Sequence, residues 1–202
     1  RKKTPTIEEY QDIFGMIQNQ TERLSHLSEV LLDMTGIQSV ERSDSISLAE
    51  LTDEVCCDLA SIADQKKVEL IQEEGDCTVT GSYLLLYRAV YNLVENAIKY
   101  NHSGGKVTVK ISQKKDLPAA HSKPTDYALV EVTDTGIGIS PEFQEKIFDP
   151  FFRVDKSRSR AMGGAGLGLA LVNEIARQHG GQVKVLASSE KGSTIALILP
   201  LS

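Results

Sequence analysis

The first part of the chain contains two series of mostly apolar residues. Each series repeats every seven positions, and the second is offset from the first by three. They comprise Tyr10, Ile17, Leu24 and Leu31, and Ile13, Gln20, Leu27 and Met34. Pro5 suits the first turn of a helix and Gly36 suits its end. The pattern predicts one long helix over residues 5–36. Because so narrow an apolar seam cannot bury itself alone, we expect a partner helix in a dimeric bundle. The alternative is a core helix of a single domain.

The pattern changes at Ser47, where Glu50 lies three residues later, as in a helix-capping box. From there, short helical and strand patterns alternate, and several strands are spaced as hairpins. This order predicts an α+β fold, a two-layer α/β sandwich with a mixed sheet and helices on one face. The predicted helices are 47–62, 82–100, 141–148 and 166–179, and the predicted strands are 68–71, 78–80, 106–112, 127–134, 182–186 and 194–200, with 113–126 as a polar loop.

Charge and cysteine content exclude several functional classes. The 202-residue chain has a formal net charge of −6, and its one cluster of basic residues, 153–160, is small. Nucleic-acid binding needs clustered Lys and Arg, so we expect no nucleic-acid partner.

Cys56, Cys57 and Cys77 lack the spacing of metal ligands, which favours a reducing compartment. No apolar run approaches the roughly 18 residues of a membrane span, so we expect any anchor to lie outside this sequence.

Polar side chains are spaced by four, three and one along the predicted helix 82–100. Asn92, Asn96 and Lys99 share one helical face, and Tyr100 follows them. Amide oxygens and an ammonium on one face suit a magnesium-bound triphosphate, because Mg²⁺ prefers hard oxygen ligands and Lys binds phosphate. The alternative is a solvated polar face.

Two glycine-rich segments flank the second half of the chain. Asp134 ends a predicted strand and begins the segment Asp-Thr-Gly-Ile-Gly, whose glycines allow a ligand to approach the backbone closely. A carboxylate there can accept a hydrogen bond from an exocyclic amine such as that of adenine. Residues 163–169 carry four glycines before a predicted helix, as in a phosphate-binding helix start. The alternatives are an ordinary turn and a flexible hinge.

The segment 148–162 begins with aromatic residues and continues with Arg153, Lys156, Arg158 and Arg160. It lies directly before the second glycine-rich segment. A basic loop with an aromatic anchor at one end and glycines at the other is typical of a mobile lid over a ligand. The alternative is a solvated loop.

In this order, the clusters resemble the motifs of the ATP-binding domain of sensor histidine kinases. That family shares a superfamily with gyrase, the heat-shock chaperone ATPase and the mismatch-repair ATPase. The matching segments are the N box 92–100, the first glycine box 134–138, the F box 148–152, the second glycine box 164–168, and the C-terminal segments 179–181 and 192–194. The resemblance implies a Bergerat-type ATP-binding fold. Residues 23–33 also resemble the second helix of the family's dimerisation domain. The implied organisation is a truncated dimerisation helix over 1–38, a linker over 39–46 and a catalytic domain over 47–202.

The resemblance also implies roles for individual residues. Asn96, with Asn92 close by, would coordinate Mg²⁺, and Lys99 and Arg153 would hold phosphates; these four are the residues implied for catalysis. Tyr100 and Phe152 would lie near the nucleotide, and Asp134 would bind the adenine amine. The remaining residues implied for ATP binding are Gly136, Gly138, Gly164, Gly166, Leu167, Gly168 and Thr194.

The sequence departs from the family at the phospho-accepting histidine. None of His26, His102, His121 and His179 lies in the family's acceptor motif, so we expect this chain to bind ATP without phosphorylating its own histidines. The resemblance implies a response regulator and a second copy of the chain as partners. It also implies a cytoplasmic location in a membrane-anchored bacterial sensor. The alternatives are a non-catalytic ATP-binding dimerisation or docking module and an anti-sigma-type serine kinase.

Overall fold

The computed structural model describes residues 10, 13–15, 21, 40–114, 126–154 and 166–201. Most of the predicted helix 5–36 lies outside the described residues, but the five described positions within it are helical. Two of them, Tyr10 and Ile13, belong to the seven-residue seam and are 47% and 46% exposed in the single chain. The partner helix therefore stays a prediction.

Seven strands and three helices follow within the described residues. In chain order they are β1 (Asp44–Ser47), α1 (Leu48–Lys66), β2 (Glu69–Gln72), β3 (Thr78–Gly81), α2 (Tyr83–Lys99), β4 (Lys106–Lys114), β5 (Tyr127–Asp134), α3 (Gly168–Gln178), β6 (Gln182–Ser189) and β7 (Gly192–Pro200). None of these helices combines the length and the apolar character that crossing a membrane requires.

Five strands form the main sheet in the order β2-β4-β5-β7-β6. β2 pairs with β4 in parallel, and the other neighbours are antiparallel. Side chains alternate between the two faces of a strand. Ala128, Val130 and Val132 of β5 therefore join the core formed with the three helices, while Leu129 lies in a smaller cluster on the opposite face. The predicted mixed sheet with helices on one face is confirmed.

β1 lies where the sequence predicted a linker. It pairs with β3 in a separate two-stranded sheet, and its Ile46 is only 2% exposed. A four-residue strand with one buried side chain carries too short an alternation to be recognised in a polar stretch. Ser47 caps α1 as predicted, because its hydroxyl accepts a hydrogen bond from the Glu50 N–H at 3.2 Å.

Several predicted boundaries differ from those in the structure. The expected helix over 141–148 is two single turns of 3₁₀-helix, Pro141–Phe143 and Lys146–Phe148. Strands β4, β6 and β7 are longer than predicted, and helix α3 starts two residues later than predicted. Residues 115–125 of the predicted loop lie outside the described residues.

Candidate functional site

A cavity of about 400 Å³ opens between α2, the loop after β5 and the start of α3. Its volume lies in the range of small-molecule sites. The side chains and backbone of the following residues line it: Asn92, Leu93, Glu95, Asn96, Ala97, Lys99, Tyr100, Val132, Asp134, Ile137, Gly138, Ile139, Ser140, Ile147, Phe152, Arg153, Val154, Gly166, Gly168, Leu169, Ser193 and Ile195. Most of the residues predicted from separate motifs are therefore brought together at one cavity.

Helix α2 presents its amide side chains to this cavity and buries its apolar side chains in the core. The Asn92 Nδ2 donates to the Arg88 carbonyl oxygen at 2.8 Å, which turns Oδ1 towards the start of α3. A Cβ at Gly168 would lie 2.6 Å from that oxygen. The absence of a side chain at Gly168 therefore allows the N-terminus of α3 to approach Asn92 and Asn96 closely.

The carboxylate of Asp134 lies at the end of β5 and lines the cavity. The Gly136 N–H donates to its Oδ1 at 2.7 Å. Burial raises the pKa of Asp134, and hydrogen bonds from the backbone of Gly136 and Ser193 act in the opposite direction. A partly buried carboxyl group with one oxygen held by a backbone N–H is well placed to recognise a single amine.

Glycines in the loop after Asp134 permit close backbone contacts. A Cβ at Gly136 would overlap the Tyr100 carbonyl oxygen, and one at Gly138 would overlap the Ser189 carbonyl oxygen. Gly138 also has φ of 69°, a conformation that L side chains rarely adopt. The loop is thus pressed against the end of α2 on one side and the β6–β7 hairpin on the other.

Two cationic side chains lie together at the cavity. Burial lowers the pKa of Lys99, and the nearby Arg153 lowers it further, while Glu95 raises it. The Nε and Nη2 atoms of Arg153 are buried, and no residue in the described part of the chain accepts a hydrogen bond from them. Buried donors are normally paired, so this end of the cavity has the chemistry of an anion site.

The backbone around Phe151 and Phe152 connects this cationic end to α3. The Phe151 N–H donates to the Gly166 carbonyl oxygen at 2.8 Å, and Phe151 itself has φ of 66°. The Phe152 ring packs against Phe143 with 5.7 Å between the ring centroids. Residues 155–162 of the predicted lid, and residues 163–165 of the second glycine-rich segment with Gly164, lie outside the described residues.

The structure places three of the predicted residues away from the lining of the cavity. The Thr194 hydroxyl lies 3.0 Å from that of Thr133, on the sheet face opposite the helices, so its contact with the nucleotide, which the resemblance implies, stays a prediction. Strand alternation instead points the neighbouring Ser193, which is 5% exposed, to the cavity. The Leu167 side chain is buried in the core, and Gly136 contributes its N–H to Asp134.

Polar residues that the sequence did not single out also line the cavity, among them Ser193 and Glu95. The orientation of Ser193 follows from the pairing of β7 with Asp134, which only the fold provides. Glu95 lies on α2, three residues after Asn92. Residues three apart on a helix are neighbours, so the spacing of Asn92 and Glu95 was the available signal.

His179 packs inside the fold. Its Nδ1 lies 2.8 Å from the Ile175 carbonyl oxygen, and its Nε2 accepts a hydrogen bond from the Ser82 N–H at 3.1 Å. It forms the C-cap of α3. His102 lies exposed in the turn after α2, and His26 and His121 lie outside the described residues.

Known proteins with similar sequences are sensor kinases. The sensor-like histidine kinase SenX3 of Mycobacterium tuberculosis H37Rv is 35% identical over 186 residues, which are 90% of this chain and 43% of that protein. The sensor histidine kinase WalK of Bacillus subtilis strain 168 is 32% identical over 187 residues, which are 91% of this chain and 29% of WalK. The chain therefore spans less than half the length of these relatives.

A solved structure shares the fold. The mycobacterial sensor histidine kinase MprB superposes with a TM-score of 0.61 at 28% identity, and the match covers 78% of this chain and 97% of that one. Because the family described as histidine kinase-, DNA gyrase B- and HSP90-like ATPase matches residues 81–202, more than half of the chain, this protein belongs to that family.

Proposed function

We propose that this chain is the ATP-binding catalytic part of a sensor histidine kinase. In this function, the γ-phosphoryl of Mg·ATP passes to a histidine outside this sequence and then to a response regulator. One observation carries the proposal: a single cavity is lined by a carboxylate, Asp134, and by two neighbouring cationic side chains, Lys99 and Arg153. The identity with SenX3 and WalK supports the kinase assignment.

Asp134 is the residue for the adenine amine. Its carboxylate accepts hydrogen bonds from the backbone of Gly136, at Oδ1, and of Ser193, and its remaining lone pairs accept a hydrogen bond from the exocyclic amine of the base. Ser193 lies beside it in the lining, and Gly138 keeps the loop close to the β6–β7 hairpin. An aromatic residue of the same lining, Tyr100, packs near the nucleotide.

Lys99 and Arg153 hold the phosphates. Each lacks full compensation of its charge within the described residues: the pKa of Lys99 is lowered by burial, and two Arg153 donors are unpaired. Phosphate oxygens would satisfy both. The start of α3, with Gly166 and Gly168, adds backbone N–H groups and the positive end of the helix dipole.

The amide oxygens of Asn96 and Asn92 are the donor set for Mg²⁺. They are hard oxygen ligands on one face of α2, as this ion prefers. The bound ion neutralises charge on the phosphates. The chain's own contribution to catalysis is to orient the triphosphate and to exclude water from it.

The acceptor histidine, the homodimer and the membrane anchor belong to the same proposal. Both ring nitrogens of His179 are engaged in hydrogen bonds, which supports an acceptor elsewhere. The exposed seam residues Tyr10 and Ile13 support a second copy as the partner of the N-terminal helix. The response regulator binds the intact kinase in the cytoplasm.

Calorimetric titration with a non-hydrolysable ATP analogue, with Mg²⁺ and with EDTA, tests the proposal. We expect micromolar, magnesium-dependent binding by the natural sequence. Asn96→Ala should remove the magnesium dependence, whereas the exposed Asn173→Ala on α3 should bind as the natural sequence does. Absence of binding by the folded natural chain would favour the non-catalytic docking module. With labelled ATP, the chain alone should incorporate no phosphate.

A further inference from the structure

Asn101 is one of four buried polar residues within the described part of the chain. It follows Tyr100, the C-cap of α2, and is 7% exposed. It does not line the cavity, and no motif in the sequence marks it. A buried amide is costly unless all its hydrogen bonds are satisfied, so its contacts indicate what it does.

The Asn101 amide joins three segments. Its Nδ2 donates to the Lys106 carbonyl oxygen at 2.9 Å. Its Oδ1 accepts from the His102 N–H at 3.0 Å and from the Thr135 hydroxyl at 3.2 Å. The orientation of the amide is unambiguous, because a backbone N–H can only donate and a backbone carbonyl can only accept.

Thr135 extends this link to the adenine side of the cavity. Its hydroxyl accepts the Lys106 N–H at 2.8 Å, and its own N–H donates to the Lys106 carbonyl oxygen at 3.1 Å. Thr135 lies between Asp134 and Gly136. Next to it, the Ile137 N–H donates to the Tyr100 carbonyl oxygen at 3.3 Å. The start of β4 therefore holds the loop that carries Asp134.

The turn after α2 is shaped around the Asn101 side chain. A Cβ at Gly105 would overlap the Asn101 Oδ1, so the absence of a side chain there makes room for the amide. The Gly105 N–H donates to the His102 carbonyl oxygen at 3.0 Å, and its carbonyl oxygen accepts from the Glu69 N–H at 2.9 Å. The amide is thus held by backbone groups of His102 and Lys106 and by the Thr135 hydroxyl.

We propose that Asn101 is a positioning residue for nucleotide binding, which fixes the separation between Lys99 at the end of α2 and Asp134 at the end of β5. The inference rests on the proposed function, since these two residues contact opposite parts of ATP. Because both residues are already held at a fixed separation, less conformational entropy is lost when a ligand that spans them binds. Each half of the ligand gains little from this, because it needs only one of the two residues.

Asn101→Leu tests the inference in the full chain. The affinities to compare are those for a non-hydrolysable Mg·ATP analogue, measured by calorimetry, and for adenosine and Mg·tripolyphosphate, measured by displacement of that analogue. We expect the affinity for the analogue to fall about tenfold. The affinities for adenosine and for tripolyphosphate should each change by less than about twofold. If Asn101 only stabilised the fold, its replacement would lower the affinities for the analogue, for adenosine and for tripolyphosphate together.

Two further variants make the result decisive. Thr135→Val removes the same link from the other side while keeping the shape of the side chain, and it replaces Asn101→Leu if that variant does not fold. Asn173→Leu makes the same change at an exposed position of α3 and should leave all three affinities unchanged. The inference fails if Asn101→Leu and Thr135→Val bind the analogue as tightly as the natural sequence, or if all three affinities fall together. Absence of binding by the natural sequence would instead overturn the proposed function, and the inference with it.

Discussion

The guanidinium of Arg153 lies in the cavity lining with two nitrogens buried and unpaired within the described residues. Without a ligand, these donors lose water and gain nothing in exchange, so they lower the stability of the fold. With a triphosphate bound, the same donors make charge-assisted hydrogen bonds. Arg153 therefore links the stability of the empty site to its affinity for anions.

Arg153→Met should separate these two effects. In the absence of nucleotide, we expect a free energy of unfolding that is unchanged or higher by up to about 1 kcal/mol, because the apolar side chain needs no partner. The affinity for the Mg·ATP analogue should fall about tenfold or more. Urea unfolding and calorimetry measure the two quantities. Arg177→Met, at an exposed Arg paired with Glu174 at 2.7 Å, is the control and should alter neither. A marked loss of stability without nucleotide would contradict this account of Arg153.

Spacing along one helix was sufficient to group Asn92, Asn96 and Lys99, because a helix fixes which residues share a face. Spacing could not identify Ser193 in the same way, because the face that a strand residue occupies depends on the pairing register, and Asp134 had to be matched with Ser193 first. Asn101 could not be found either. Its role depends on backbone groups from β4 and the loop after β5, which only the fold brings together.

At the scale of elements, His179 joins the end of α3 to the start of α2. Its Nε2 accepts a hydrogen bond from the N–H of Ser82, the N-cap of α2. Nε2 can accept this bond only without a proton of its own, so the ring is neutral in this arrangement. Burial lowers the pKa of His179 below its ordinary 6.5, and the charge of Arg42 lowers it further. The unfolded chain therefore takes up this proton at a higher pH than the folded chain.

The stability of the fold should consequently depend on pH through this junction. The contribution of neutral His179 is fully present above about pH 6.5 and is lost as the pH falls towards the lower pKa of the folded state. Urea unfolding between pH 7.5 and 5.5 should show this decrease for the natural sequence. His179→Gln, which keeps an acceptor but cannot titrate, should be less stable at pH 7.5 and show a flatter profile.

Asn173→Gln, at an exposed position of α3 that has no titratable group, provides the control for that series. It should reproduce the slope of the natural sequence over the same range. Glu174 titrates below this range, because its ordinary pKa is 4.5 and its pKa is lowered in the folded chain. Burial raises the pKa of Asp134, but Asp134 is present in the natural sequence and in His179→Gln alike, so it does not account for a difference between their slopes. A slope for His179→Gln equal to that of the natural sequence would show that His179 is not the group responsible.

At the scale of the whole molecule, the contacts of β1 lead us to expect that the catalytic unit begins before residue 44 rather than at residue 47. Ile46 is buried, β1 pairs with β3 along four residues, and Ser47 caps α1. The Arg42 guanidinium also donates to the Gln178 side-chain oxygen at 3.1 Å, at the end of α3. All of these contacts lie outside the cavity, whose lining begins at Asn92 in the chain.

Two truncated chains should therefore differ in stability but not in nucleotide affinity. Residues 40–202 keep β1, whereas residues 48–202 lose it, the cap of α1 and the burial of Ile46. We expect the shorter chain to be less stable by about 3 kcal/mol, the sum of one helix cap and one buried aliphatic side chain. Both should bind the Mg·ATP analogue equally well below their unfolding transitions. Ile46→Ala within residues 40–202 should account for most of the difference. If residues 48–202 are as stable as residues 40–202, β1 does not belong to the catalytic unit, and that unit begins at residue 47, as the sequence predicts.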